Sequence, residues 1–142
     1  MDVEEIETPP YYETIGIELV EIEPGRAVAR LAVGKPVSAA ENAPIAHGGV
    51  IASLADSAGY WAISAENGLA TTPTIDLRMD YLAPATDDVC AIGTVVRNGD
   101  SVGVADVEVE TEAEGRTVAT ARGVFKTGGD PTTSAWDDRR EA

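Results

Sequence analysis

Two short stretches of this chain hold residue types that can do chemistry at a shared spacing. The first is His47-Gly48-Gly49. Adjacent glycines leave backbone N–H groups open to a ligand, and a helix that begins there turns the positive end of its dipole toward developing negative charge. The same pair serves equally well as a tight entry turn, with His47 as a cap or a packing residue. The second is Asp56, further along the same helical stretch. On a 3.6-residue wheel it falls opposite the apolar stripe, beside Ala52, Gly59 and Ile63 and near a face of serines. It can be read as an ordinary solvated aspartate. Against that reading stand its small neighbours, which leave room for a ligand or a second chain, and the helix propensity lost to a mid-helix Asp and Gly.

The elements that must position these groups follow from periodicity. The chain from His47 to Asn67 carries Ile51, Leu54, Ala55, Ala58, Trp61, Ala62 and Ala65 at helical spacing, and Gly68 suits a C-cap. Serines 53, 57 and 64, with Tyr60 and Asn67, fall on the other side. Before the helix, regular structure is expected from about Tyr11. A strand through Ile15, Ile17, Leu19, Val20 and Ile22 reaches a type II turn at Glu23-Pro24-Gly25-Arg26, and a second strand covers Ala27 to Val33. Lys35 to Ala46 lacks periodicity and reads as a loop.

Beyond the helix, Thr74 to Leu82 alternates without a slip. Val89 to Arg97 and Val102 to Thr111 form a hairpin through Asn98-Gly99-Asp100, and Thr117 to Thr127 follows a turn at Glu114-Gly115. Val102 and Val104 are out of phase with Val107 and Val109, which predicts a bulge near Ala105 or Asp106. Two strands, one long helix and an antiparallel meander make an α+β domain over residues 11–128. Residues 1–10 read as a flexible acidic leader, in which Thr8-Pro9-Pro10 can open one helical turn, and 129–142 as a disordered tail.

Composition narrows the function classes. With 25 acidic against 10 basic residues in 142, the net charge is −15. No basic run exists to displace counterions, which argues against nucleic acid as a partner. One cysteine and one histidine cannot build a disulfide, a zinc finger or a His-paired metal site, so no metal is expected. The amino terminus has no signal-peptide pattern and no apolar run reaches membrane-spanning length, which points to a cytoplasmic protein without a membrane partner. Only Lys35 and Lys126 are lysines, and this acidic, lysine-poor composition resembles that of proteins from salt-loving cytoplasms.

Taken in order, His47-Gly48-Gly49, Ser53-Leu54-Ala55-Asp56, and Thr74-Ile75-Asp76-Leu77 ending at Tyr81-Leu82-Ala83-Pro84 resemble the PaaI-type acyl-CoA thioesterases of the hotdog fold. The likeness runs from about Tyr11 to Gly129. It implies a long helix wrapped by an antiparallel sheet, two subunits joined edge to edge, and paired sites between them, in a homodimer or a homotetramer built as a dimer of dimers.

By that resemblance Gly48 is the oxyanion donor, Asp56 from the other subunit is the base or nucleophile, and Thr74 helps hold the attacking water. Asn42 is the candidate for the family's asparagine, with Glu41 beside it at the usual spacing. Gly49 and Tyr81 border the substrate, while Arg97, Asn98 and Ser101 lie where relatives meet the nucleotide end of coenzyme A. His47 either orients the loop or exchanges protons. No separate cofactor is implied, coenzyme A being part of the acyl-CoA substrate.

The chemistry is self-consistent. A thiolate with a conjugate acid near that of cysteine, about 8.5, leaves without strong acid help, so one carboxylate and one oxyanion site suffice. Competing readings are a hotdog acyl-CoA hydratase or dehydratase, which needs His47 as its catalytic histidine, and a non-catalytic acyl-CoA-binding dimer.

Overall fold

The protein is described here by a computed structural model covering residues 1–129; all of the expected tail except Gly129 lies outside the described residues. Six antiparallel strands form one sheet around a single long helix. In chain order the elements are α1 (Pro10–Ile15), β1 (Ile17–Glu23), β2 (Arg26–Leu31), α2 (Gly48–Glu66), β3 (Thr74–Tyr81), β4 (Val89–Asn98), β5 (Val102–Thr111) and β6 (Thr117–Lys126). The strand order is β1-β2-β4-β5-β6-β3, so β1 and β3 are the edges. Pro24 and Gly25 turn β1 into β2 as expected, Gly25 taking a φ of +86°.

The stripe expected on α2 is buried in full, and the burial goes further. Twelve of the nineteen residues of α2 are buried, including Ser57, Gly59, Ile63 and Ser64, which the wheel had placed away from the core. The sheet curls around the helix and covers two faces rather than one. Gly93 on β4 allows the closest approach, since a Cβ there would stand 2.4 Å from the Ala58 carbonyl oxygen. Gly59 is small for the chain's own sheet, not for an incoming ligand. A Cβ on it would meet the Phe125 ring at 3.1 Å and Val107 at 3.5 Å. Ser64 resolves its burial by donating to the Ala70 carbonyl at 2.7 Å.

Three local expectations are corrected. The helical turn that Thr8-Pro9-Pro10 can open forms at Pro10 and runs through Ile15, which was expected in the first strand: Gly16 ends the turn at φ +85°, and Tyr12 is buried. In the segment read as a leader, Val3–Glu5 form a short 3-10 turn, and Val3 and Ile6 pack against the cluster of Ile22, Ala27 and Trp61. The bulge expected in β5 belongs to its partner β4. Val95 pairs with Ala105 and Arg97 with Val104, which leaves Val96 as the extra residue. Along β5 the alternation is unbroken, with Gly103, Ala105, Val107 and Val109 inward and Val102 facing out. Small residues lie inward there because Ile63 and Phe125 already fill the space, and a Cβ on Gly103 would come within 2.9 Å of Ile63.

Strand β3 also slips, contrary to the sequence reading. Thr74 pairs with Phe125 and Asp76 with Val124, so Ile75 is a bulge. Regular alternation would put Thr74 on the same face as Asp76, Arg78 and Asp80, away from the helix. One extra residue resets the phase.

Candidate active site

Asp56 stands in the middle of α2, on the face left partly open by the sheet, and is half-buried. The reset phase of β3 turns Thr74 toward it, and Thr74 Oγ1 donates to Asp56 Oδ1 at 2.7 Å. Two effects oppose each other on this carboxyl. Burial raises its pKa above the ordinary carboxylate range, and the hydrogen bond from Thr74 lowers it; burial is the larger. The result is a carboxylate more basic than a solvated one, with one oxygen fixed and the other free to meet water.

The start of α2 is built by the loop before it. Ala46 N–H donates to the Ala85 carbonyl and His47 N–H to the Val37 carbonyl, both at 2.9 Å, which locks the chain as it enters the helix. His47 is the N-cap. Its Nδ1 accepts from Gly49 N–H at 2.8 Å, so the ring is a cap in the structure. Tyr81 donates to the Gly48 carbonyl at 2.6 Å and lays its ring against Gly48. Among the described residues the Gly48 N–H donates to no acceptor, which leaves it, on the first turn of a nineteen-residue helix, available to an anion. Gly49, by contrast, gives its N–H to His47. Asp56 follows Gly48 by eight positions, about 12 Å of axial rise at ~1.5 Å per residue, so within one chain the two do not meet one carbonyl carbon.

A cavity of about 500 Å³ opens at Asp56, between α2 and the segment from Glu7 to Tyr12. Nothing in the sequence reading placed that segment at the site, because only packing brings α1 onto this face of α2. Tyr11 is tied to Ser53 at 2.8 Å, and the buried Tyr12 accepts from Trp61 Nε1 at 3.1 Å. Burial pushes the Tyr12 hydroxyl up, with hydrogen bonding to Ser57 and Trp61 working against it and the charge of Asp56 working with it.

Known proteins bear on this geometry. The family model of the thioesterase superfamily matches residues 43–128, which include both ends of the candidate site. The chain belongs to the thioesterase superfamily. A Halobacterium salinarum protein named as a candidate esterase is 42% identical over 88 residues, covering 56% of this chain but only 58% of its own length. A medium/long-chain acyl-CoA thioesterase of Salmonella typhimurium is 33% identical over 120 residues, covering 72% of this chain and 76% of that one. Among solved structures, a mutant of the phenylacetic acid degradation protein PaaI from Thermus thermophilus superposes with a TM-score of 0.74 at 28% identity, over 83% of this chain and 98% of the other. The architecture is that of a PaaI-type hotdog thioesterase, as the resemblance implied.

Other residues singled out in this thioesterase-superfamily chain lie apart from Asp56. Asn42 and Glu41 are both exposed on a bend, with no hydrogen bond to a site residue. Arg97, Asn98 and Ser101 are exposed at the β4–β5 hairpin. Asn98 accepts from Asn67 Nδ2 at 3.0 Å, so the hairpin is fastened to the C-terminal end of α2, the opposite end from Gly48. Among the described residues no group of three or more His, Cys, Asp or Glu side chains is placed to hold a metal ion, and no helix is long and apolar enough to cross a membrane.

Proposed function

We infer that this chain hydrolyses acyl-CoA thioesters to a free acid and coenzyme A. The observation that carries the reading is the half-buried Asp56 carboxylate, raised by burial and oriented by Thr74, on the same helix whose N-terminus presents an unengaged Gly48 N–H. Water is deprotonated by Asp56 and adds to the thioester carbonyl carbon; on the alternative route Asp56 itself adds, the thiolate leaves from a mixed anhydride, and water then hydrolyses that anhydride to release the acid and regenerate Asp56. The carbonyl oxygen becomes an oxyanion held by a Gly48 N–H and the helix dipole. Collapse breaks the C–S bond, the thiolate leaves, and the proton taken by Asp56 returns to solvent or the thiolate.

Because Gly48 and Asp56 of one chain are too far apart to meet one carbon, each site takes one group from each of two subunits. Edge strand β3 supports such pairing. Among the described residues its outer side has no strand partner, and Ile75 and Tyr81 on it and Leu82 just beyond it are 48%, 55% and 61% exposed. A homodimer joined through β3, doubled into a homotetramer, follows. Arg97, Asn98 and Ser101 then contact the nucleotide end of coenzyme A, Gly49 and Tyr81 border the thioester, and His47 and Asn42 shape the oxyanion loop. A cytoplasmic location and adaptation to high salt accompany this reading, on the acidic, lysine-poor composition.

Release of free thiol from short, medium and aryl acyl-CoAs in molar salt tests it. Hydrolysis frees one thiol per acid formed. No thiol release with a changed acyl chain would instead indicate a hydratase, and tight binding without turnover a carrier.

A further inference from the structure

One wall of the Asp56 cavity takes no part in the chemistry above. It is the segment from Glu7 to Tyr12, and it is fixed rather than trailing. Ser53 Oγ donates to the Gly49 carbonyl at 3.1 Å, so in the 2.8 Å contact with Tyr11 the tyrosine is the donor. Ser57 likewise donates to the Ser53 carbonyl at 2.7 Å. Trp61 N–H is taken by Tyr12. Pro9 and Pro10 stiffen the backbone between Glu7 and these anchors.

These bonds give the cavity a definite character. Its apolar surface comes from Pro9, Pro10, Tyr12, Tyr60 and Trp61, which suits a hydrocarbon group. The Tyr11, Ser53 and Ser57 hydroxyls and the Trp61 indole already give their hydrogens to protein partners. The charged residues that this chain contributes to the lining of the cavity are Glu7 and Asp56, both acidic, with no Lys, Arg or His of the same chain beside them. An acyl chain ending in a carboxylate would meet on this wall two like charges and no cation.

We propose that Glu7 to Tyr12 form the acyl-selecting wall of this site, which admits uncharged acyl groups and rejects those ending in a carboxylate, Glu7 being the residue that decides. The inference rests on the thioesterase reading of Asp56 and names the substrate class that site takes. Glu7 is exposed, so its share of the selectivity is screened by salt, whereas the share from half-buried Asp56 is less so.

The test compares two thioesters of equal chain length, one ending in a carboxylate and one in the isosteric primary amide. The wild-type kcat/KM ratio should favour the amide by tenfold or more. Glu7→Lys should narrow that ratio at least tenfold and Glu7→Gln should fall between, while reversing the exposed Glu114 on the β5–β6 turn (Glu114→Lys) should leave it unchanged. Because each ratio is taken within one protein, partial loss of folding does not move it. Dissociation constants of the two non-hydrolysable thioether analogues should show the same ratios. A wild-type ratio near one, or one that Glu7→Lys shifts no more than Glu114→Lys does, overturns the proposal. Absence of turnover with the binding ratio intact would end the thioesterase reading and leave the selectivity standing.

Discussion

Replacing Gly48 by proline removes one hydrogen-bond donor from the helix start and little else. Gly48 is the first residue of α2, the one helical position where proline is favoured, because an N–H there has no intrahelical partner and the fixed φ of proline suits a helix start. The preceding residue must be extended, and His47 is, at φ −59° and ψ 138°. No acceptor among the described residues loses a bond. Folding stability should therefore change by less than about 1 kcal/mol. If the Gly48 N–H holds the oxyanion, kcat should fall by about 10²–10³, or roughly 3–4 kcal/mol of transition-state stabilisation. Gly48→Ala is the control. It keeps the N–H, and its methyl would sit 3.4 Å from the Tyr81 ring, at the edge of ordinary contact, so it should lose no more than a few-fold. Thiol release under saturating acyl-CoA, beside a thermal melt of each variant, gives both quantities. If Gly48→Pro keeps kcat within threefold of wild type, or Gly48→Ala loses as much as the proline, the donor role is wrong.

Asp56→Asn keeps the shape and an acceptor for Thr74 but removes the base, and thiol release should drop by about 10²–10⁴. Burial raises the folded-state pKa of Asp56, so its contribution to stability is greatest below the unfolded carboxylate pKa and is lost as pH rises through the folded value. The melting temperature of the Asn variant relative to wild type should accordingly climb as pH rises above the ordinary carboxylate range of about 4; a flat difference would mean that Asp56 is solvated. Thr74→Val removes the bond that lowers the Asp56 pKa and should move the acid limb of kcat/KM to higher pH, with Thr74→Ser restoring it. Mixing Gly48→Pro with Asp56→Asn chains should recover activity in hybrid dimers, since one of the two sites regains both groups; no recovery after subunit exchange is verified by mass would place both groups in one chain's site. Gly93→Ala should destabilise by about 3 kcal/mol or more in urea unfolding, because its methyl would stand 2.4 Å from the Ala58 carbonyl oxygen. At a net charge of −15, the thermal midpoint should rise between dilute and molar salt, and an unchanged midpoint would remove the salt-adapted reading.

Local information was enough for the long helix, for the meander and for the turns at Pro24-Gly25 and Gly115, because each is written in a repeat of apolar residues or in a glycine that takes positive φ. It also singled out His47-Gly48-Gly49 and Asp56 as candidates, because a mid-helix Asp and the glycines are costly in a helix. What it did not contain is where the sheet closes. Gly59 and Ser57 read as an open face of α2, yet Phe125 and Val107, far along the chain, fill the space at Gly59, and Ser57 is buried as well. Thr74 could be counted but not aimed, since its direction depends on a bulge at Ile75 set by pairing with β6. The wall from Glu7 to Tyr12 is the clearest case. Its first part, Glu7 to Pro10, reads as the end of a flexible leader, and only the Tyr11–Ser53 and Tyr12–Trp61 bonds across more than forty residues hold the segment over Asp56. Periodicity and turn chemistry are properties of neighbours along the chain, whereas the basicity of Asp56 and the shape of its cavity come from burial, which exists only once distant segments have packed.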